Sequence, residues 1–332
     1  MIDSVRMFGG LDMYHLSPVP GKWHRDISTD PATGEIQGER SYCNLPFSQM
    51  TVKSDGILRI QASAPKLLRG SSLEEVTDAD RDKFTAALAK QARSVGLETD
   101  PAALRVWWVD YCKNMEMKRH TRDYLSLLQQ YSIPRRTKRS FDGETVTFAN
   151  KSRQLCCYDK LAEVRAAAVD TEDRELLNRV DSDPRRNLLR VESRLMRTKP
   201  ISRVTGVEMP HLVDIWHSDL SREVLLADFD SVTEGSQVLP PIDFNNLVMT
   251  LSEYREMFPR GGAFRLVEAD GLRHLLSACR GDWELLKGAL GEAGYCHRSV
   301  RRIISRWRET FRATVPEDSA GLIQEVRTKL AA

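Results

Sequence analysis

The chain predicts an α+β protein, an antiparallel-rich central sheet with helices on one face followed by an α-helical C-terminal domain. Three observations predict it. Two-residue apolar alternation recurs from the N-terminus to about Leu195, helical periodicity separates those runs, and beyond about Thr198 only helical patterns continue. A length of 332 residues suits about two domains. They are placed at 1–200 and 201–332, with the boundary between Lys199 and Glu234.

Met1 to Phe8 reads as a strand. Phe47 to Val52 and Ile57 to Ala62 flank Lys53-Ser54-Asp55-Gly56, and an Asp-Gly pair between alternating runs signals a hairpin. Asp78 to Val95 places Phe84, Ala87, Leu88, Ala92 and Val95 on one helical face, with Asp78 or Asp80 to begin it. Leu104 to Cys112 returns to strand, with Val106, Trp108, Asp110 and Cys112 pointing one way. Tyr124 to Leu128 reads as a short helix followed by a basic loop. Thr145 to Phe148 and Leu155 to Tyr158 read as strands, Leu161 to Val169 and Thr171 to Val180 as helices, and Leu188 to Leu195 as a strand. His211 to Ala227, Thr250 to Phe258, Gly271 to Ala278, Trp283 to Ala293 and Arg298 to Phe311 read as helices. Gly294-Tyr295-Cys296 joins the last two as a helical hairpin or helix-turn-helix.

Charged residues at 29% and apolar ones at 41% predict a folded chain and exclude disorder. A formal charge of +2 excludes a histone-like arm, so any nucleic-acid surface is a local patch. No apolar run suits a signal peptide or a membrane span. The six cysteines show no zinc spacing and no C-x-x-C pair. Free thiols place the expectation in the cytoplasm of a bacterial host.

Chemistry concentrates at Tyr158, Lys160 and Glu163, read beside Leu188 to Leu195. Covalent phosphodiester cleavage needs a nucleophile, metal ligands and a cation to stabilise phosphate oxygens. A phenol of pKa about 10 attacks at neutral pH only if a cation or metal favours its anion. Lys160 shares the Tyr158 face if the strand runs that far; the same pair also suits a core tyrosine with its hydroxyl satisfied. Asp110 follows Trp107-Trp108-Val109, and Glu192 stands between Arg190 and Arg194 in an otherwise apolar strand. Buried carboxylates need a partner or a metal, although a solvated, salt-bridged strand face suits Glu192 equally well. Asn114 shares the Asp110 face and adds an oxygen donor, and such hard donors suit Mg²⁺ or Mn²⁺. Basic clusters lie at Lys118-Arg119-His120 and at Arg135, Arg136, Lys138 and Arg139. Arg298, Arg301 and Arg302 begin a basic amphipathic helix, which is either a solvated face or a DNA contact.

Four blocks carry a resemblance. They are Ile60 to Gly70 (IQASAPKLLRG, including Lys66), Val109-Asp110, Thr145 to Glu163 with its Thr-Val-Thr-Phe, Ser-Arg and Tyr-x-Lys-x-x-Glu elements, and Leu189 to Arg194 (LRVESR). In this order and spacing the chain resembles the replication initiation proteins of filamentous phages, the gene II type of rolling-circle nickase related to plasmid initiators. The resemblance covers about residues 1–200, where Met1-Ile2-Asp3 also fits, and implies a fold like that of rolling-circle initiators. It implies Tyr158 as nucleophile, a 5′-phosphotyrosyl intermediate at one origin strand, and later rejoining. It further implies Asp110 and Glu192 as metal ligands, with Lys160 near the phosphate or phenolate. Trp108 stands where relatives often carry arginine, no His-x-His pair is present, and the third metal ligand is unassigned.

The leading expectation is therefore a Mg²⁺- or Mn²⁺-dependent nickase and strand transferase that starts rolling-circle replication. Its site set is Tyr158 and Lys160 for catalysis and Asp110, Glu192, Glu163 and Asn114 for metal. DNA contacts fall to Lys66, Lys118, Arg119, Arg135, Arg136, Lys138, Arg139, Arg190, Arg194, Arg298, Arg301 and Arg302. The expected partners are single-stranded or supercoiled origin DNA and the host helicase and polymerase, without a membrane; a homo-oligomer is compatible. A non-catalytic DNA-binding regulator of phage or plasmid replication is the alternative, and a phage structural or assembly protein a third.

Overall fold

The computed structural model describes residues 1–31, 33, 35–129, 131–133, 135–141, 144–234, 237–238, 252, 283–302 and 317–332. The chain divides into two compact units, one of residues 1–118, 149–228 and 329–332, the other of 119–148 and 229–328. Expected helices at Thr250 to Phe258 (apart from residue 252) and Gly271 to Ala278, and residues 303–311 of the last one, lie outside the described residues.

The first unit is built on antiparallel strands β1 (Ile2–Gly9), β2 (Tyr14–Leu16), β3 (His24–Thr29), β4 (Ile36–Leu45), β5 (Ser48–Lys53), β6 (Leu58–Ser63), β7 (Leu97–Thr99) and β8 (Arg105–Glu116). The second contributes β9 (Tyr131–Ser132), β10 (Thr137–Phe141) and most of β11 (Thr145–Ala149). β12 (Arg153–Asp159) and β13 (Leu188–Leu195) return to the first, and β14 (Gln237–Val238) pairs with β9. Within the first unit one sheet runs in the order β12-β13-β8-β1-β6-β5-β4-β3. The β5–β6 hairpin turns at Gly56, whose φ of +75° suits the residue without a Cβ.

The sheet's apolar face carries Val5, Met7, Met50, Ile60, Val109, Tyr111, Val191 and Leu195, all fully buried. Helices α1 (Ala64–Arg69) and α2 (Arg81–Ser94) precede β7. α2 buries Phe84, Leu88 and Ala92, the stripe its 3.6-residue spacing predicts. α4 (Lys160–Asp170) and α5 (Arg174–Ser182) follow β12, after α3 (Thr121–Leu128) in the second unit. Leu73, Val164, Val180 and Leu188 cluster to hold this helix pair at the start of β13. α6 (Thr198–Thr205), α7 (Leu212–Ile215) and α8 (Ser218–Thr233) follow. The Tyr111 hydroxyl donates to the Ile215 carbonyl at 3.1 Å, and Ser193 bonds Asp228.

The continuous helix read from His211 to Ala227 is two, parted at the buried Trp216, whose indole donates to the Thr77 carbonyl at 3.0 Å. The basic loop after Leu128 contains the strands β9 and β10. In the second unit α9 (Trp283–Glu292) is followed by a turn at Gly294, φ +84°, and a helical stretch at residues 297–302, so the glycine-containing turn falls where the sequence placed it. α10 (Glu317–Ala331), which no sequence pattern singled out, contributes Glu325, acceptor to the Tyr124 hydroxyl at 2.6 Å.

Candidate active site

Antiparallel register assembles the site. On β13, Arg190 faces Tyr158 of β12 and Asn114 of β8, Glu192 faces Cys156 and Cys112, and Arg194 faces Asp110. Two-residue alternation sends all of these to the polar face while Val191, Ser193 and Leu195 face the core. A carboxylate enters from β1 as well. Between the pairs Ile2–Tyr111 and Ser4–Asp110, β1 sets two steps against one of β8. This β-bulge brings Asp3 into an ion pair with Arg190.

Glu192 is the hub, 2% exposed. Its Oε2 accepts from the Tyr158 hydroxyl at 3.1 Å and lies 3.4 Å from Arg190 Nε, and its Oε1 accepts from Arg194 Nε at 2.6 Å. Asp110 accepts from the Trp108 indole at 2.7 Å and lies 3.9 Å from Arg194. Arg190 is fully buried and also donates to the Ser72 carbonyl at 3.3 Å.

Burial and crowding set the ionisation. Burial first, then Glu192 and Asp3, push the Asp110 carboxyl up to about 8 against the pull of Arg194. Asp3 stays below its ordinary value although burial opposes this, because Arg190 and Lys160 favour its anion. Burial raises the Tyr158 phenol well above its ordinary value; Arg190 opposes that, while Glu192, Glu163 and Asp3 add to it. Cys112 and Cys156 are pushed up to about 12, burial being the main cause, so both remain thiols at neutral pH.

Lys160 is the first residue of α4 rather than the last of β12. Asp159 ends the strand and caps the helix, accepting from the Ala162 amide at 3.0 Å. The ammonium nevertheless returns to the site, 5.6 Å from the centre of the Tyr158 ring, and donates to Ser72 Oγ at 2.8 Å and Glu163 at 2.7 Å. Burial, then Arg190, lowers its pKa, and Glu163 counters both.

Glu163 thus sits beside Lys160, 40% exposed. Asn114 donates to the Leu73 carbonyl at 3.2 Å and accepts from Arg190 at 3.5 Å, so its oxygen already serves a guanidinium. Among the described residues no three His, Cys, Asp or Glu side chains are already grouped to hold a metal ion. The donor chemistry of Asp3, Asp110 and Glu192 nevertheless fits Mg²⁺ or Mn²⁺. All are hard oxygens, and Asp110, raised by burial first and by Glu192 and Asp3 after it, is a carboxyl whose anion a divalent cation would favour. Asp3 is the residue that sequence spacing missed, and its only signal was the position of Met1-Ile2-Asp3 at the opening.

The basic residues disperse. Lys66 is half-buried in α1, and Lys118 is exposed two residues beyond β8. Arg119, Arg135, Arg139, Arg298, Arg301 and Arg302 are exposed in the second unit. Arg136 and Lys138 are half-buried there, Lys138 donating to the Gln129 carbonyl at 2.6 Å. Arg190, committed to Asp3 and Glu192, is inside the protein, whereas Arg194 remains 34% exposed beside the site.

The sheet's polar face combines a tyrosine, acidic side chains and arginines, the residue types that the sequence resemblance implied. The family of phage replication-associated proteins of the gene II type, described by its N-terminal region, matches residues 37–216. That span is more than half of the chain and holds Asp110, Tyr158 and Glu192. The chain belongs to this family and is a phage replication initiator of the gene II type. No curated protein matches it. Among the described residues no helix is long and apolar enough to cross a membrane.

Proposed function

We propose that the protein nicks one strand of its replicon's origin with Tyr158 and later rejoins it. The observation that carries this reading is the Tyr158 hydroxyl donating to Glu192 at 3.1 Å inside a buried cluster of acids and arginines. Glu192 takes the phenolic proton as the Tyr158 oxygen attacks phosphorus, forming a 5′-phosphotyrosyl bond. The 3′ oxygen departs with its bonding pair and takes a proton from solvent. Arg194, the more exposed guanidinium of the cluster, meets the charge that grows on the phosphate oxygens. Arg190 and Lys160 hold positive charge beside the ring and stabilise the phenolate.

Asp3, Asp110 and Glu192 would hold Mg²⁺ or Mn²⁺, which supplies charge neutralisation at the phosphate and favours the tyrosinate. The proposed ligand is single-stranded or supercoiled origin DNA, handed on to host helicase and polymerase. Incubating the protein with single strands tiled across its replicon, with and without Mn²⁺, tests this. A covalent protein–DNA adduct that Tyr158→Phe loses is expected, and an adduct that persists in that variant removes Tyr158 from the role.

A further inference from the structure

A second register shift lies on β8, beside the candidate site. Arg6 pairs with Trp108 and Met7 with Val106, so Trp107 is an extra residue on β8 and the alternation breaks there. Consecutive tryptophans that would otherwise point to opposite faces share the polar one. Their rings meet edge to face, 6.1 Å between centres. The Arg6 guanidinium lies 4.0 Å from the centre of the Trp108 ring and 5.7 Å from that of Trp107, and the Arg59 guanidinium of β6 lies 5.5 Å from Trp107.

Four features mark this cluster as more than packing. Both indoles are half-buried, and Arg59 is exposed. The Trp107 indole nitrogen is buried with no hydrogen-bond partner among the described residues. Among the described residues no carboxylate lies within ion-pair distance of Arg6 or Arg59; Asp110 acts on Arg6 only from farther off, and the exposed Arg59 is open to an anion. The Trp108 indole reaches the site itself by donating to Asp110.

We propose that Arg6, Arg59, Trp107 and Trp108 form a subsite for the single DNA strand that flanks the scissile phosphate. Bases stack on the indole and guanidinium planes while the two arginines meet phosphates. Aromatic faces beside cations are what a sequence-tolerant single-strand site requires, since every base has a π-face. The inference rests on the nickase reading for its ligand, and its test reads binding rather than cleavage.

Oligothymidylate and an abasic oligomer of equal length are titrated into the full-length protein, followed by anisotropy and by quenching of tryptophan fluorescence. Wild type is expected to bind oligothymidylate at least about 5-fold more tightly than the abasic strand, with quenching. Trp107→Ala is expected to remove that preference, whereas Trp107→Phe keeps most of it and controls for folding. Arg59→Ala, at an exposed position, is expected to lower the slope of log affinity against log salt by about 0.7. Equal affinity of wild type for the two strands, or an unchanged preference in Trp107→Ala, overturns the proposal. Tyr158→Phe separates the two readings: it keeps oligothymidylate binding if the subsite is right, whether or not wild type forms an adduct.

Discussion

Replacing Glu192 by glutamine probes the network on which the proposed chemistry depends. The side chain is 2% exposed and serves Tyr158, Arg190 and Arg194 at once. Glutamine keeps the shape but removes the charge, and its amide group turns hydrogens toward a guanidinium or the phenol. Breaking a buried ion pair from one side costs about 3–5 kcal/mol. Two features reduce that figure: Arg190 retains Asp3, and Arg194 is 34% exposed and lies 3.9 Å from Asp110. The expected loss is about 2–3 kcal/mol, or roughly 4–12 °C in Tm for a unit of this size. The Glu192 charge is one cause of the raised Tyr158 phenol, so the variant's phenol titrates at lower pH in a difference spectrum. Adduct formation is nevertheless expected to fall by about 100-fold or more, because the proposed proton acceptor is gone. Urea unfolding followed by tryptophan fluorescence, with adduct gels alongside, measures both. Stability within about 0.5 kcal/mol of wild type, or an adduct formed at the wild-type rate, would refute the reasoning.

Three further outcomes are expected. Tyr158→Phe abolishes the adduct but leaves DNA affinity within a few-fold, as a filter-binding titration reads, since only the reacting oxygen is lost. Asp110 keeps its proton in the folded chain up to about pH 8 against an ordinary 3.8, so between those values the folded state binds more protons than the unfolded. Its contribution therefore weakens as pH rises through that window, by up to about 1.4 kcal/mol per pH unit, and levels off above it. In chelator-treated protein Asp110→Asn flattens this slope and is the more stable form at pH 8, and added Mn²⁺ raises the wild-type Tm more than the variant's. A variant with the wild-type pH profile removes Asp110 from the crowded site. Gly96→Ala costs at least about 2 kcal/mol in denaturant unfolding, because φ is +79° and a Cβ would strike the Ser17 carbonyl; an unchanged midpoint would mean that this turn relaxes freely.

Much of the candidate site was legible because a strand with one apolar and one polar face writes that alternation into the sequence. Leu188 to Leu195 alternates apolar and charged residues, and the structure places that strand at the same residues. The Asp-Gly turn, the α2 stripe and the glycine-containing turn after α9 were legible for similar local reasons. β3 and β4 were not: β3 is exposed along its whole length and β4 buries only Cys43 fully, so no hydrophobic alternation marks them. Backbone pairing, a long-range property, is what makes them strands.

The sequence by itself determined which face Glu192, Arg190 and Arg194 share and which residues can be buried, because side-chain alternation and apolar burial are local consequences of residue type. Only the tertiary structure decided that Asp3 joins the acids, that Trp107 and Trp108 share a face, and that Lys160 leaves the strand yet returns over the Tyr158 ring. Each turns on a register shift or a strand end, and those are set by the neighbouring strands and the helix cap rather than by the residues that move.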